Sequence, residues 1–155
     1  MTALLTALVT WLAANFDLPA IYDLPDVRFV PPAQISDLRY RDIATKRRRA
    51  VIAVYDDASR TIYLNDAWTG QSAEELSILV HEMVHHLQNL AGHRHPCPGA
   101  REKLAYEAQE RWLGLFGLSL AAALQLDPMT LKVSTACFHG APRPPRGARA
   151  EAPGK

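Results

Sequence analysis

Residues 81–85 read His-Glu-Met-Val-His, which places two histidines four positions apart with a glutamate between them. On a helix, positions i and i+4 lie on the same face about one turn apart, so both imidazoles can reach one metal ion. Zinc accepts histidine nitrogens at ~2.0–2.1 Å. The glutamate lies ~100° further round the helix, beside such an ion, where it can take a proton from a metal-bound water. The motif therefore predicts a zinc site with His81 and His85 as ligands and Glu82 as general base.

The helix that must carry this motif is marked at both ends. Ser72, with Glu75 three residues later, matches a capping box, and Gly92 matches a C-terminal stop. We therefore predict a helix from residue 73 to about residue 90. Its apolar residues recur with helical spacing on one face, nearly opposite the two histidines: Leu76, Leu79, Val80, Met83, Val84, Leu87 and Leu90. The helix should pack that face into one layer and present the histidines to a second, with His86 shaping the rim of the site.

A catalytic zinc site needs a third protein ligand and an open position for water. Ala91 stands where the metzincin pattern has its third histidine, which removes that interpretation. The remaining common donor is a carboxylate on the next helix, which we predict over about 100–116. That helix offers three glutamates: Glu102, Glu107 and Glu110.

Amphipathicity ranks these glutamates. The core face of the second helix is predicted to consist of Leu104, Ala105, Ala108, Trp112, Leu115 and Phe116. Glu102 borders that face. Glu107 lies on the far side, where i,i+4 pairs with Lys103 and Arg111 suit a solvated surface. We therefore predict Glu102 as the third ligand, ahead of Glu107.

Two polar side chains accompany Glu102 on that helix. Tyr106 and Gln109 lie on the same side, where they could orient the ligands or polarise a substrate carbonyl. A half-buried polar edge of the helix would explain them equally well. We take Tyr106 as the second candidate catalytic residue, beside Glu82.

With His81-Glu82-x-x-His85 and a glutamate on the next helix, the chain resembles gluzincin-type zinc metallopeptidases in compact form. It looks most like small bacterial metallopeptidase-like domains. The similar segments lie within about residues 50–115 and are Tyr55-Asp56, Ile62-Tyr63-Leu64, Leu79 to Gln88, and Cys97 to Leu113. The resemblance implies a zincin-like fold, one Zn²⁺ ion, a zinc-bound water activated by Glu82, and a peptide or protein substrate.

The predicted helices and strands in the rest of the chain indicate an α+β fold in one domain. The predicted elements outside the two site helices are helices over 2–15 and 34–40 and strands over 27–30, 50–55 and 61–64. The strands should form a small antiparallel or mixed sheet packed on the motif helix, with further helices after residue 118 and at Asp127-Pro128. We assign residues 1–140 to this domain and expect the Pro-, Gly- and Arg-rich tail over 141–155 to be disordered.

Composition helps to predict the binding partners of the protein, but it does not decide its cellular compartment. The formal net charge is +1, so the global balance does not favour nucleic acid, and the basic run over 46–49 is interpreted as a solvated turn. No apolar run reaches the ~18–20 residues that span a bilayer. Cys97 and Cys137 are either two thiols or one disulfide. We expect a cytoplasmic protein, and a periplasmic or secreted one if these cysteines are bonded.

Three functions are compatible with these residues. The leading hypothesis is a zinc-dependent hydrolase, expected to be a peptidase. The alternative is a non-catalytic zinc-binding interaction or sensor domain, in which Cys97 or His95 would close the site as a fourth ligand. A deformylase-like amide hydrolase is less favoured, because those enzymes take a cysteine ligand from upstream of the motif and both cysteines here lie downstream.

Overall fold

The structure is a computed structural model that describes residues 1–39, 52–125 and 127–137. Within these ranges the chain forms six helices and three strands. In chain order they are α1 (Thr2–Asn15), β1 (Asp26–Val30), α2 (Pro32–Arg39), β2 (Ala53–Asp56), β3 (Thr61–Asn65), α3 (Ala73–Leu90), α4 (Pro98–Gly114), α5 (Leu120–Ala123) and α6 (Pro128–Thr135). The α+β class is therefore confirmed. The basic run over 46–49, the start of the strand predicted over 50–55, and the tail over 141–155 lie outside the described residues.

The three strands form one mixed sheet in the order β1-β3-β2. β2 and β3 are an antiparallel hairpin, joined by a turn over 57–60, whereas β1 pairs with β3 in parallel. Arg60 ends that turn in the left-handed region, at φ 51°. Among the described strands β2 is thus an edge of the sheet, and it packs against α3.

The main core lies between α1, the sheet and one face of α3. Its most buried side chains, none more than 3% exposed, are Leu5, Leu8, Val9, Leu12, Ile62, Leu64, Leu79, Val80, Met83, Val84 and Leu87. The α3 members are those that the helical spacing predicted to face inward, although Leu76 and Leu90 at the two ends are only half-buried. Burial of this apolar face is what fixes the rotation of α3 about its axis.

α4 covers the opposite side of α3. The polar side chains of Ser77, Glu82, His85 and Gln88 are buried there, at 0–7% exposure. α4 presents to α3 small side chains such as Ala105 and Ala108, which are fully buried. Buried polar groups must be hydrogen-bonded to be tolerated, so the layer between α3 and α4 is the place to look for a site.

Both ends of α3 follow from local chemistry. Ser72 Oγ accepts a hydrogen bond from Glu75 N at 3.1 Å. The Glu75 carboxylate reaches further back than a capping box requires, accepting from Thr69 N at 3.0 Å and Gln71 N at 3.1 Å. The Thr69 hydroxyl also donates to this carboxylate, at 2.7 Å, and this bond, with the backbone bonds, holds the pKa of Glu75 below its ordinary value. Beyond the last turn Gly92 adopts φ 64°, which glycine tolerates and other residues resist.

His86 is not at the rim of the site, so that expectation was wrong. Its side chain is fully buried on the sheet side of α3. Nε2 donates to the Asp23 carbonyl at 2.6 Å, and because a carbonyl only accepts, Nδ1 must accept from the Tyr55 hydroxyl at 3.1 Å. Asn89 Nδ2 donates to that hydroxyl at 3.0 Å and to the Asp57 carbonyl at 2.9 Å. Burial lowers the pKa of His86, so the imidazole stays neutral and ties α3 to β2.

Tyr55→Phe is expected to lower the free energy of unfolding by about 1–3 kcal/mol, because it leaves His86 Nδ1 buried without a donor. The measurement is urea unfolding followed by circular dichroism. Tyr22→Phe is the matched control: the Tyr22 side chain is about half exposed and its hydroxyl bonds Thr10 Oγ1 at the surface, at 3.2 Å. Water can replace that bond, so the control should change stability by less than about 0.5 kcal/mol. Equal losses in both variants would contradict the buried link.

Cys97 and Cys137 form a disulfide, with their Cα atoms 5.6 Å apart. Cys97 is also the N-cap of α4, and its Sγ accepts from Ala100 N at 3.3 Å. Next to the bridge, Gly99 lies so close to α6 that a Cβ would collide with the carbonyl oxygen of Ala136. The bridge therefore fixes the end of α6 against the first turn of α4. Among the described helices, none combines the length and the apolar character needed to cross a bilayer.

Replacing both cysteines by serine should destabilise the protein by about 2–4 kcal/mol, because the bridge restricts a 40-residue loop in the unfolded chain. Thermal unfolding with and without a reductant measures this. Reductant should lower the Tm of the native protein and leave that of the double-serine variant unchanged. Titration of free thiols in protein isolated without reductant would count against the bridge.

Candidate metal centre

His81, His85 and Glu102 converge between α3 and α4. His81 Nε2 lies 3.2 Å from His85 Nε2 and 3.1 Å from Glu102 Oε2, and His85 Nε2 lies 3.5 Å from the same oxygen. The three side chains are 7–14% exposed. Among the described residues this is the one group of three such donors close enough to hold a metal ion.

The spacing of these three atoms suits zinc. Tetrahedral zinc with bonds of ~2.0–2.1 Å separates its ligand atoms by ~3.3–3.4 Å. The three observed separations, 3.1, 3.2 and 3.5 Å, bracket that value. Two imidazole nitrogens and one carboxylate oxygen are also a donor set that zinc accepts. A single ion could therefore contact all three without movement of the helices.

The other two glutamates of α4 point elsewhere. The Glu107 side chain is 54% exposed and its Oε1 lies 3.9 Å from Lys103 Nζ, the surface pair that helical spacing predicted. Glu110 Oε2 accepts from Leu120 N at 2.5 Å, which caps the start of α5. Of the three glutamates, Glu102 is the one beside the histidines.

The charged groups around the three donor atoms favour the binding of a cation. Burial alone would raise the pKa of Glu102, but its hydrogen bonds to His81 and His85 hold that pKa far below the usual range, so the carboxylate is ionised. Burial opposes a charged His85, yet the hydrogen bond with Glu102 and the negative charge of Glu82 together raise its pKa. Two carboxylates thus favour positive charge at His85, and a divalent ion can supply it in place of a proton.

A glutamine fixes the tautomer of His85. Gln88 Nε2 donates to the Arg101 carbonyl at 3.2 Å, and a carbonyl can only accept. Gln88 Oε1 must then face His85 Nδ1, at 3.1 Å, so Nδ1 carries the hydrogen and donates it. Nε2, the nitrogen that faces Glu102, is therefore the one that can give up its hydrogen and bind an ion.

A second glutamine does the same for His81. Ser77 Oγ donates to the Glu74 carbonyl at 2.7 Å and so accepts from Gln109 Nε2 at 3.1 Å. Gln109 Oε1 then accepts from His81 Nδ1 at 3.2 Å. Gln109 is 2% exposed, so this chain of bonds is shielded from water. Both histidines are held with Nε2 available to a metal, as the partners of metal-binding histidines usually arrange.

Gln109→Ala should weaken zinc binding by about 10–100-fold, because His81 loses the group that orients it. Competition with a coloured zinc chelator gives the dissociation constant, and circular dichroism checks that the helices persist. Gln71→Ala is the control, since Gln71 is exposed in the loop before α3. An unchanged affinity in Gln109→Ala would show that packing alone orients His81.

A cleft of about 350 Å³ opens onto the three donors. Glu82 lines it together with His81 and His85, and is 7% exposed. Tyr106 also lines it, with its ring edge-on to that of His81 at 4.8 Å between centroids. Both residues that the sequence predicted as catalytic are therefore brought to the cleft.

An ion pair that the sequence did not predict lies at the edge of this cleft. Arg101 donates to both carboxylate oxygens of Asp57, from Nη1 at 2.6 Å and from Nη2 at 2.7 Å. Arg101 Nη2 also approaches the His85 carbonyl at 3.4 Å. The pair ties the β2–β3 turn to α4 beside Glu102. Its partners are 44 residues apart, and no local pattern marks them.

Two sequence expectations about α4 and its surroundings need correction. Leu115 and Phe116, predicted in the core, are 62% and 55% exposed, because α4 ends at Gly114, whereas Leu113 is fully buried. Neither proposed fourth ligand joins the centre: the Cys97 sulfur is in the disulfide, and His95 lines a separate cavity.

The chain belongs to the family described as a domain of unknown function (DUF6647), which it matches over residues 1–140. No curated protein and no solved structure matches it.

Proposed function

We propose that the protein is a zinc-dependent hydrolase that cleaves peptide bonds, with His81, His85 and Glu102 as zinc ligands and Glu82 as general base. The observation that carries the proposal is the pairing of three ligand atoms at tetrahedral spacing with a buried carboxylate in the same cleft. Three protein ligands leave a position open, as catalytic zinc sites do.

The roles of the residues follow from their positions. A bound zinc ion supplies Lewis acidity toward a carbonyl oxygen and lowers the pKa of water. Glu82 accepts the proton of the attacking water and returns it to the amine that leaves. Tyr106, against the ring of His81, offers a hydroxyl to the substrate carbonyl oxygen as negative charge develops there. Gln88 and Gln109 keep both imidazoles in the tautomer that the ion needs.

The non-catalytic alternative is less well supported. A structural zinc site normally closes with a fourth protein ligand, and among the described residues no fourth donor joins the three. A purely structural site also has no use for a buried carboxylate such as Glu82 in an open cleft. A deformylase-like centre would need a cysteine thiolate, and both cysteines are bonded to each other.

The disulfide bears on where the protein works. Disulfides persist in oxidising compartments and are rare in the cytosol. The bridge between Cys97 and Cys137 therefore counts against a cytoplasmic location. We therefore propose a periplasmic or extracellular setting, the one expected for the bonded form.

Metal analysis and a hydrolysis assay on the native protein test the proposal together. Purified protein should contain close to one equivalent of zinc and should cleave casein or members of a fluorescence-quenched peptide library. A chelator should abolish cleavage, and added zinc should restore it. Zinc-loaded protein that cleaves none of these substrates would favour the non-catalytic alternative, and protein without zinc affinity would exclude both.

A further inference from the structure

The cleft at the metal centre lies between walls that come from different parts of the chain. One wall is β2 with the turn that follows it, and the other is α4. The ion pair between Asp57 and Arg101 joins these two walls, with nitrogen–oxygen distances of 2.6 and 2.7 Å. Arg101 directly precedes Glu102 in α4. The place of the third zinc ligand therefore depends on what holds Arg101.

Asp57 is attached to α3 through its main chain. Asn89 Nδ2, near the end of α3, donates to the Asp57 carbonyl at 2.9 Å and to the Tyr55 hydroxyl at 3.0 Å. The β2–β3 turn is thus bonded to the same helix that carries both histidines. Because its main chain is anchored there, the Asp57 carboxylate can hold α4 at a set position along α3.

Arg101 also contacts the groups that support His85. Its Nη2 approaches the His85 carbonyl at 3.4 Å, and its own carbonyl accepts from Gln88 Nε2 at 3.2 Å. Gln88 Oε1 in turn faces His85 Nδ1 at 3.1 Å. A displacement of Arg101 would therefore disturb the group that orients one ligand and move Glu102, its neighbour in the chain, at the same time.

The ion pair suits a geometric role better than a role in overall stability. Two nitrogens of Arg101 bind the two oxygens of Asp57, and such a bidentate pair fixes orientation as well as distance. The Arg101 side chain is 27% exposed and that of Asp57 is 51% exposed. An ion pair this accessible to water contributes little to the free energy of unfolding. It can still set the local position of α4, because both partners are held by further bonds.

The charge of Arg101 by itself would oppose a metal ion. Arg101 lines the same cleft as the three donors, and like charges repel each other. If charge alone mattered, removing Arg101 would strengthen zinc binding and removing Asp57 would weaken it. If the pair acts by position, both changes should weaken zinc binding. The two explanations therefore differ in the sign of one measurable effect.

We propose that Asp57 and Arg101 are positioning residues of the metal centre, whose ion pair holds α4 against the β2–β3 turn so that Glu102 stays beside His81 and His85. The inference rests on the proposed function, because it takes these last three residues as the zinc ligands. Neither partner of the pair binds the ion. The pair instead raises zinc affinity by keeping the three donors together before the ion arrives.

Zinc affinity, measured by competition with a coloured chelator, tests this in four variants. Asp57→Ala and Arg101→Gln should each weaken zinc binding about tenfold or more, as loss of an outer partner of a ligand does. Arg101→Lys should also weaken it, because an ammonium keeps the charge but cannot bind both oxygens. The double variant Asp57→Ala/Arg101→Gln should bind zinc no more weakly than Arg101→Gln alone, since either change already breaks the pair.

Asp23→Ala is the matched control. Asp23 pairs with Arg60, which belongs to the same turn as Asp57, at 2.8 Å, and this pair does not line the cleft. The Asp23 carbonyl, which accepts from His86, is retained in the variant. Its zinc affinity should equal that of the native protein. Thermal unfolding of the metal-free variants shows whether any loss of affinity reflects general destabilisation.

The visible spectrum of cobalt-loaded protein gives a second measurement, because the absorption of cobalt(II) depends on the geometry of its ligands. The spectrum should change in Asp57→Ala and in Arg101→Lys and stay native in Asp23→Ala. A mere loss of stability would leave the spectrum of the bound ion unchanged.

Opposite effects of Asp57→Ala and Arg101→Gln on zinc affinity, with the double variant close to the native protein, would overturn the inference in favour of charge alone. Native affinity in both single variants, or an equal loss in Asp23→Ala, would overturn it as well. Native protein that binds zinc and cleaves no peptide would overturn the proposed hydrolase and leave the role of the ion pair intact. Native protein without affinity for zinc would overturn both.

Discussion

Glu82→Gln is expected to retain zinc and to lose hydrolysis by about 10²–10⁴-fold, the contribution of a well-placed general base. The amide has nearly the shape of the carboxylate, so the cleft should keep its form. It cannot accept a proton, however, and the attacking water is then not activated. Zinc content and the cleavage rate of the best substrate from the peptide library measure the two effects separately.

Glu107→Gln is the control for this variant. It makes the same chemical change on the exposed face of α4, where the carboxylate faces Lys103 at 3.9 Å. Its zinc content and cleavage rate should equal those of the native protein. Activity that survives in Glu82→Gln would remove Glu82 from the role of base and leave Tyr106 as the nearest candidate.

Glu102→Ala should weaken zinc binding by more than about 100-fold, whereas Glu107→Ala should leave it unchanged. Removing Glu102 deletes the one anionic donor among the three and leaves two imidazoles to hold the ion. The effect should exceed the roughly 10–100-fold change typical when an outer partner of a ligand is lost. Chelator competition gives both constants, and circular dichroism shows whether the helices remain.

A smaller change, Glu102→Gln, separates charge from geometry. The amide oxygen can still approach the ion, but the negative charge is gone, so affinity should fall between those of the native protein and of Glu102→Ala. If Glu107→Ala gave the larger loss, α4 would have to be rotated in solution so that its Lys103 face turns inward.

The three donors of the candidate metal centre could be predicted from the sequence because the signals that mark them are local. The histidines sit four residues apart on a helix with signals at both ends, and the apolar stripe fixes which way that helix turns. Glu102 could be ranked above Glu107 because a ligand has to border the face that packs. Gln88 could have been recognised as well, since it stands three residues after His85, on the same face of α3.

Other parts could not be predicted, for identifiable reasons. Leu115 and Phe116 continue the apolar spacing of α4, but the helix ends at Gly114 and Gly117 takes φ 72°, so helical spacing no longer sets their direction. The apolar stripe of α3 marks one packed face only, and it gave no sign that His86 would be buried against Tyr55. The pairing of Arg101 with Asp57 depends on the tertiary fold alone.

The first turn of α4 is where two cross-links overlap. Contact between His81 and Glu102 spans 21 residues, and the disulfide spans 40. Only the disulfide is covalent, so it alone restricts the unfolded chain. In the folded protein it anchors the start of α4, the turn that carries Glu102, to the end of α6. Reduction should therefore let this turn fray first and separate Glu102 from the two histidines.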